Sequence, residues 1–194
     1  MKTTLGAIKQ IKGAHTTPDY WDLLGQLNAS GYSADDAEVP FPAVVKVAGL
    51  RAALWCLRAE PSYAAPARLF AVWCARQALS CVPNPDRRCQ SACDVAERFA
   101  RGKAAESELR TARIAARKAT EAAEAAGNSY LRRVGMVEGA ELVAAVSQAT
   151  LATEIAVAHP ENIMKAMDSL VRHGEDGSEL AAKTNMFLQI FHNS

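Results

Sequence analysis

Ala53-Leu54-Trp55-Cys56-Leu57-Arg58 returns eighteen residues later as Ala71-Val72-Trp73-Cys74-Ala75-Arg76. Eighteen residues make five turns of α-helix, so two helical copies present Trp, Cys and Arg at matching angles. In each copy the Arg stands three residues after the Trp, on the same side of the helix. The repeat predicts two packed helices sharing one apolar seam, with Trp55 and Trp73 in the core. Glu60-Pro61 stops the first copy. Pro66 opens the second, which runs through Phe70 and Leu79 to about Cys81.

Working outward toward the C-terminus, Asn84-Pro85-Asp86 reads as a helix start. That helix should pass through Val95 and Phe99 and stop at Arg101-Gly102, a basic last residue before a glycine cap. Ala105, Leu109, Ala112, Ala116, Ala119, Ala123 and Ala126 then follow a 4-3-4-3-4-3 spacing. This is a heptad-like seam of small side chains, suited to close helix packing. Gly127-Asn128 should end it. A buried helix is expected over about 129–158, a further one from His159-Pro160-Glu161 to Gly174, and a last one capped by Ser178.

On the N-terminal side, Thr3 to Ile11 has apolar residues three apart and reads as a short helix. Thr17-Pro18-Asp19 is a capped helix start, and its helix should bury Tyr20 or Trp21, Leu23, Leu24 and Leu27. Residues 33–42 are acidic with two prolines and read as a loop. Ala43 to Val47 then makes one or two helical turns before Gly49. These pieces predict an all-α fold, a compact array of antiparallel helices with Ala-rich, closely packed seams. It should form a single helical domain over 1–194, with 1–126 and 127–194 as its alternative sub-layers.

No apolar run reaches the ~20 residues that span a bilayer. Met1-Lys2-Thr3-Thr4 is not followed by an uninterrupted apolar segment, so no signal peptide and no membrane partner are expected. The five cysteines, Cys56, Cys74, Cys81, Cys89 and Cys93, fall in the central stretch inside helical patterns. They are expected as reduced, buried thiols rather than ligands, although Cys89 and Cys93 with Cys81 or Cys74 are the set to test for metal. No cofactor is expected.

Charge is strongly segregated. Residues 50–118 carry thirteen Lys and Arg against six Asp and Glu, a balance of +7, whereas 119–194 stand at −5 and 1–49 at −1. The basic stretch makes Arg87, Arg88, Arg98, Arg101, Arg110, Arg113 and Arg117 the candidate partner-binding residues, with Lys103 beside them. Glu106 and Glu121, four residues from Arg110 and Arg117, should neutralise part of the stripe. The alternative is that it faces the chain's own acidic helices around Glu138, Glu141 and Glu154.

The chain shows no phosphate-cradling glycine loop, no paired metal motif and no nucleophile with an identifiable base. Asp35-Asp36 is a carboxylate pair in a loop and reads as solvated. No catalytic residue is predicted.

The wording of Leu54-Trp55-Cys56-Leu57-Arg58-Ala59, of Arg68-Leu69-Phe70-Ala71-Val72-Trp73-Cys74-Ala75-Arg76-Gln77 and of Asp94-Val95-Ala96-Glu97-Arg98 resembles alanine-rich helical proteins encoded by tailed phages and prophages. The opening is similar too, at Thr4-Leu5 to Ile8-Lys9, Trp21 to Leu27 and Ala34-Asp35-Asp36. More remotely, the centre is similar to helical domains described as immunity proteins of bacterial toxin systems. The resemblance covers about residues 3–126 and departs after Gly127. The family has no agreed activity, so no residue role transfers. It implies a phage origin and a small accessory protein in the host cell cytoplasm. The expected function is non-enzymatic: binding and inhibiting a host protein or protein complex, foremost a CRISPR–Cas or restriction component. Nucleic-acid binding through the basic 87–117 stretch is the first alternative, and toxin neutralisation the second.

Overall fold

Thr4 is both the last residue of strand β1 (Lys2–Thr4) and the cap of helix α1 (Leu5–Lys9), its hydroxyl accepting from the Ala7 amide at 3.1 Å. The computed structural model that shows this describes residues 1–14, 18–134, 140–171 and 177–192. The expected helix over 3–11 is therefore a strand followed by a short helix. β1 pairs antiparallel with β2 (Glu38–Pro40), with Thr3 opposite Val39 and both buried. The end of the predicted 33–42 loop is thus a strand, and Pro40 caps the next helix. Tyr63 secures Lys2 by accepting from its amide and donating to its carbonyl.

Apart from this ribbon the fold is all-α, a packed array of helices. The order is α2 (Pro18–Ala29), α3 (Phe41–Cys56), α4 (Ala64–Ser80), α5 (Arg87–Ala100), α6 (Glu106–Val134), α7 (Ala140–Ala156), α8 (Pro160–Ala166) and α9 (Gly177–His192). Short 3₁₀ turns at Leu57–Ala59, Pro61–Tyr63 and Met167–Leu170 join them. Thr17 and Gly174, given roles in the sequence reading, lie outside the described residues, as does Glu138. Contacts group the chain into two compact units, 1–67 with 164–194, and 68–163. Gly127 lies inside α6 and does not end it. Among the described residues no helix is long and apolar enough to cross a membrane.

In the first unit α3 carries a break at Gly49, where φ is +81° and ψ 173°, a conformation open essentially only to glycine. The two halves meet different neighbours. Phe41 packs against Phe187 and Phe191 of α9, at 6.3 and 5.8 Å between ring centroids. Beyond the break, Trp55 meets Tyr20 of α2 at 6.1 Å. Tyr20 is buried, while Trp21 stands 58% exposed. Lys183 is buried on α9, where it donates to the Leu170 carbonyl at 2.8 Å and pairs with Glu179 at 3.0 Å.

The second unit is built on α5, α6 and α7, which pack against one another. Leu109, Ala112, Ala116 and Ala119 form the buried face of α6, which is the predicted small-residue seam. Ala105 and Ala126, at its predicted ends, are exposed. Cys89, Ala92, Cys93 and Ala96 form the buried face of α5. Asp86 caps α5 by accepting from the Arg88 amide at 2.8 Å. At the other end Lys103 N donates to Arg98 O and Gly102 N to Phe99 O, closing the helix in a Schellman turn with Gly102 at φ +68°.

The repeat that opened the sequence reading behaves differently from expectation. Both copies are helical, but they fall in separate units and each packs within its own. Trp55 and Trp73 are partly exposed rather than core, and Trp73 stacks on Phe70 at 6.4 Å. In the first copy Arg58 donates to the Lys165 carbonyl at 2.8 Å. In the second Arg76 pairs with Asp94 at 2.9 Å and Glu97 at 2.6 Å.

Candidate partner-binding surface on the α5–α6 pair

An antiparallel helix pair leaves a furrow along its outer side, and its depth depends on the side chains that flank it. Along α5 the flank reads Arg88, Ser91, Ala92, Val95, and along α6 Ser107, Glu108, Thr111, Ala112, Ala115. All but three of these are Ala, Ser or Thr, which leaves a groove of about 540 Å³. Its floor is apolar and its walls carry hydroxyls. Arg87 and Arg88 stand at one mouth, where α5 begins.

Glu108 lies at the opposite end and is held on two sides. It accepts from the Ala105 amide at 3.0 Å, the return half of a capping box, and from Arg98 at 2.9 Å. The Ala105 amide, then Arg98, hold its carboxyl below the usual carboxylate range. Asp86 is likewise depressed, first by the Arg88 guanidinium, which it grips as a fork.

These contacts sort the seven predicted arginines. Arg88 is engaged by Asp86, Arg98 by Glu108, Arg101 by Glu97 and Arg117 by Glu121. The predicted Glu121 neutralisation of Arg117 is present, at 3.1 Å. Glu106 pairs instead with His159, at 3.3 Å. Arg87, Arg110 and Arg113 make no ion pair among the described residues, and Arg87 and Arg110 are exposed. They do not share one surface. At about 100° per residue, positions 110, 113 and 117 lie roughly 160° round α6 from groove positions 108, 111 and 115. The stripe therefore runs along the flank near α7. There Thr120 donates to Glu154 at 2.6 Å, so that predicted acidic partner is engaged by a hydroxyl.

Arg68 was absent from the sequence-derived set, although its signal was legible. It occupies the apolar stripe of α4, among Ala67, Phe70, Ala71 and Cys74, where a charge is out of place. It is 1% exposed, donates through Nη1 to the Ala156 carbonyl at 2.5 Å and lies 5.2 Å over the Phe99 ring. Ala156 is the last residue of α7, so the guanidinium caps the negative end of that helix. Burial, with the nearby Arg113 charge, pushes its pKa down to about 10. The other missed feature, the groove, is a product of pairing and has no counterpart in either helix read alone.

Cys89 and Cys93 lie within hydrogen-bonding reach of the Thr153 hydroxyl, and burial pushes Cys93 up to about 11. Burial likewise holds Cys56 at about 12, and Cys81 is the exposed thiol. No group of three His, Cys, Asp or Glu converges among the described residues. Asp35 is paired with Lys9 at 2.6 Å. No family model matches the chain, and neither a curated protein nor a solved structure matches it.

Proposed function

We propose that this chain is a non-enzymatic accessory protein of phage origin that binds and inhibits a host protein through its α5–α6 pair. The target class is a host-defence component, a CRISPR–Cas or restriction complex, met in the host cell cytoplasm. The observation that carries the reading is the small-residue groove with Arg87 exposed at its mouth. A protein interface needs an apolar centre with a polar rim, and the groove offers both.

The distribution of cations favours a protein over nucleic acid. Backbone binding to nucleic acid relies on several cations acting on one surface. Four of the seven arginines are already engaged by carboxylates, and the others are divided between two flanks of the helix pair. The phage resemblance supplies the host-directed part of the proposal.

The test is capture from host lysate by the tagged chain, with and without nuclease, beside the Arg87→Glu, Arg110→Glu double variant. The expected result is a protein retained in near-equal amount after nuclease treatment and lost from the variant, whose melting temperature is unchanged. Retention that disappears with nuclease would replace this reading by nucleic-acid binding.

A further inference from the structure

The groove also restricts what kind of segment it takes. From Arg88 to Val95 it runs along two turns of α5, about 10 Å at 1.5 Å per residue. That length admits two or three side chains of a third helix, laid as a ridge between α5 and α6. An extended strand fits less well. Its amides and carbonyls would require main-chain partners, and the flanks here are helical, with their own backbone groups already bonded. A helical segment satisfies its backbone internally and needs from the groove only an apolar floor, which Ala92, Val95, Ala112 and Ala115 provide.

The ends of the groove differ in charge. At one, Arg87 makes no ion pair among the described residues, and the first turn of the fourteen-residue α5 adds the positive end of its dipole. At the other, the Glu108 charge is matched by Arg98. The groove is therefore positive at the α5 start and close to neutral at the α6 start. Residues 86–118, within the same unit, carry nine Lys and Arg against five Asp and Glu, and this balance of +4 adds an attractive field for an anionic partner.

From this we infer that the α5–α6 groove receives an acidic amphipathic helix of the partner protein. Its apolar residues, one turn apart, rest on the alanine floor, and its carboxylates face Arg87. The inference rests on the protein-binding reading above and narrows it to a segment with a defined polarity.

The probe is a fluorescein-labelled, lactam-stapled helical peptide about four turns long, with Leu at one-turn spacing and Glu at one end. Its controls are the same peptide with Lys for Glu and a labelled oligothymidylate of similar length. Each is titrated against the full chain by fluorescence anisotropy. The acidic peptide should bind saturably and at least about tenfold more tightly than the Lys version, a difference of ~1.4 kcal/mol. Thr111→Trp, which fills the groove from an exposed position, should abolish binding without lowering the melting temperature. If that variant melts early, Ser91→Trp fills the same space from α5. Arg87→Glu should weaken binding about tenfold and flatten its dependence on salt.

Equal binding of both peptides, binding that survives the groove-filling variants, or preferential binding of the oligonucleotide would each overturn the inference. So would peptide binding that only dissociates a self-associated form of the chain. Retention of the lysate partner by Thr111→Trp would separate the two levels: the partner-binding proposal would stand, and the groove would not be its site.

Discussion

Arg68 offers the sharpest test of the second unit, because opposing energies of similar size meet at one side chain. Burial, with the Arg113 charge, lowers its pKa to about 10, so holding the charge in the fold costs about 3 kcal/mol relative to water. Against this stand the bond to the Ala156 carbonyl, the α7 helix end and the Phe99 ring. Arg68→Met keeps most of the volume and removes the charge. It leaves the Ala156 carbonyl unpaired, at about 1–3 kcal/mol, and loses about 1 kcal/mol of ring contact. Relief of the burial penalty offsets these losses, so the Met variant should lie within about 1 kcal/mol of the parent. Arg68→Ala removes the packing as well and should fall about 2–5 kcal/mol below Arg68→Met. Urea unfolding followed by circular dichroism measures both, provided the m-values agree. Equal, large losses in both variants would mean that the polar contacts dominate and that this balance is wrong. Two neutral variants would mean that Arg68 is not buried.

Other outcomes follow from the same structure. Gly49→Ala should cost about 1–3 kcal/mol, since φ +81° and ψ 173° admit no Cβ without strain, and Gly6→Ala should also destabilise because its Cβ would stand 2.9 Å from the Asp35 carbonyl oxygen. Native protein at pH 8 should react with a thiol reagent at Cys81 first, and full reaction should require unfolding. Because the folded pKa of Cys56 is raised from 9.0 to about 12, the unfolded chain loses that proton first; stability should therefore fall as pH rises from about 9 to 12, and Cys56→Ala should flatten the decline measured in alkaline melts. Trp55→Ala should cost about 1–3 kcal/mol in chemical unfolding, less than a fully buried indole, since the ring is partly exposed.

Helix, cap and seam were legible in the sequence because they depend on neighbours three or four residues apart. The 4-3-4 spacing identified the buried face of α6 from Leu109 to Ala119, and Arg101-Gly102 marked the end of α5. Gly49 marked a break for the same local reason. The charge segregation likewise needed no coordinates. Gly127 misled because one glycine costs a long helix only about 1 kcal/mol, which α6 tolerates.

The tertiary structure alone decided what each local element meets. The Trp-Cys-Arg repeat specifies two equal helical faces, but a repeated face does not name its partner. One copy packs near Tyr20, while the other places Arg76 against Asp94 and Glu97 of α5. Charge on a helix says nothing about whether a carboxylate ten residues away reaches it, as Glu108 reaches Arg98. The candidate site illustrates the same division. Seven arginines were visible in the sequence, but their pairing, and the groove that leaves Arg87 exposed at its mouth, arise only when α5 lies against α6. Small side chains become a cavity through the distance between two backbones, and that distance is set by packing.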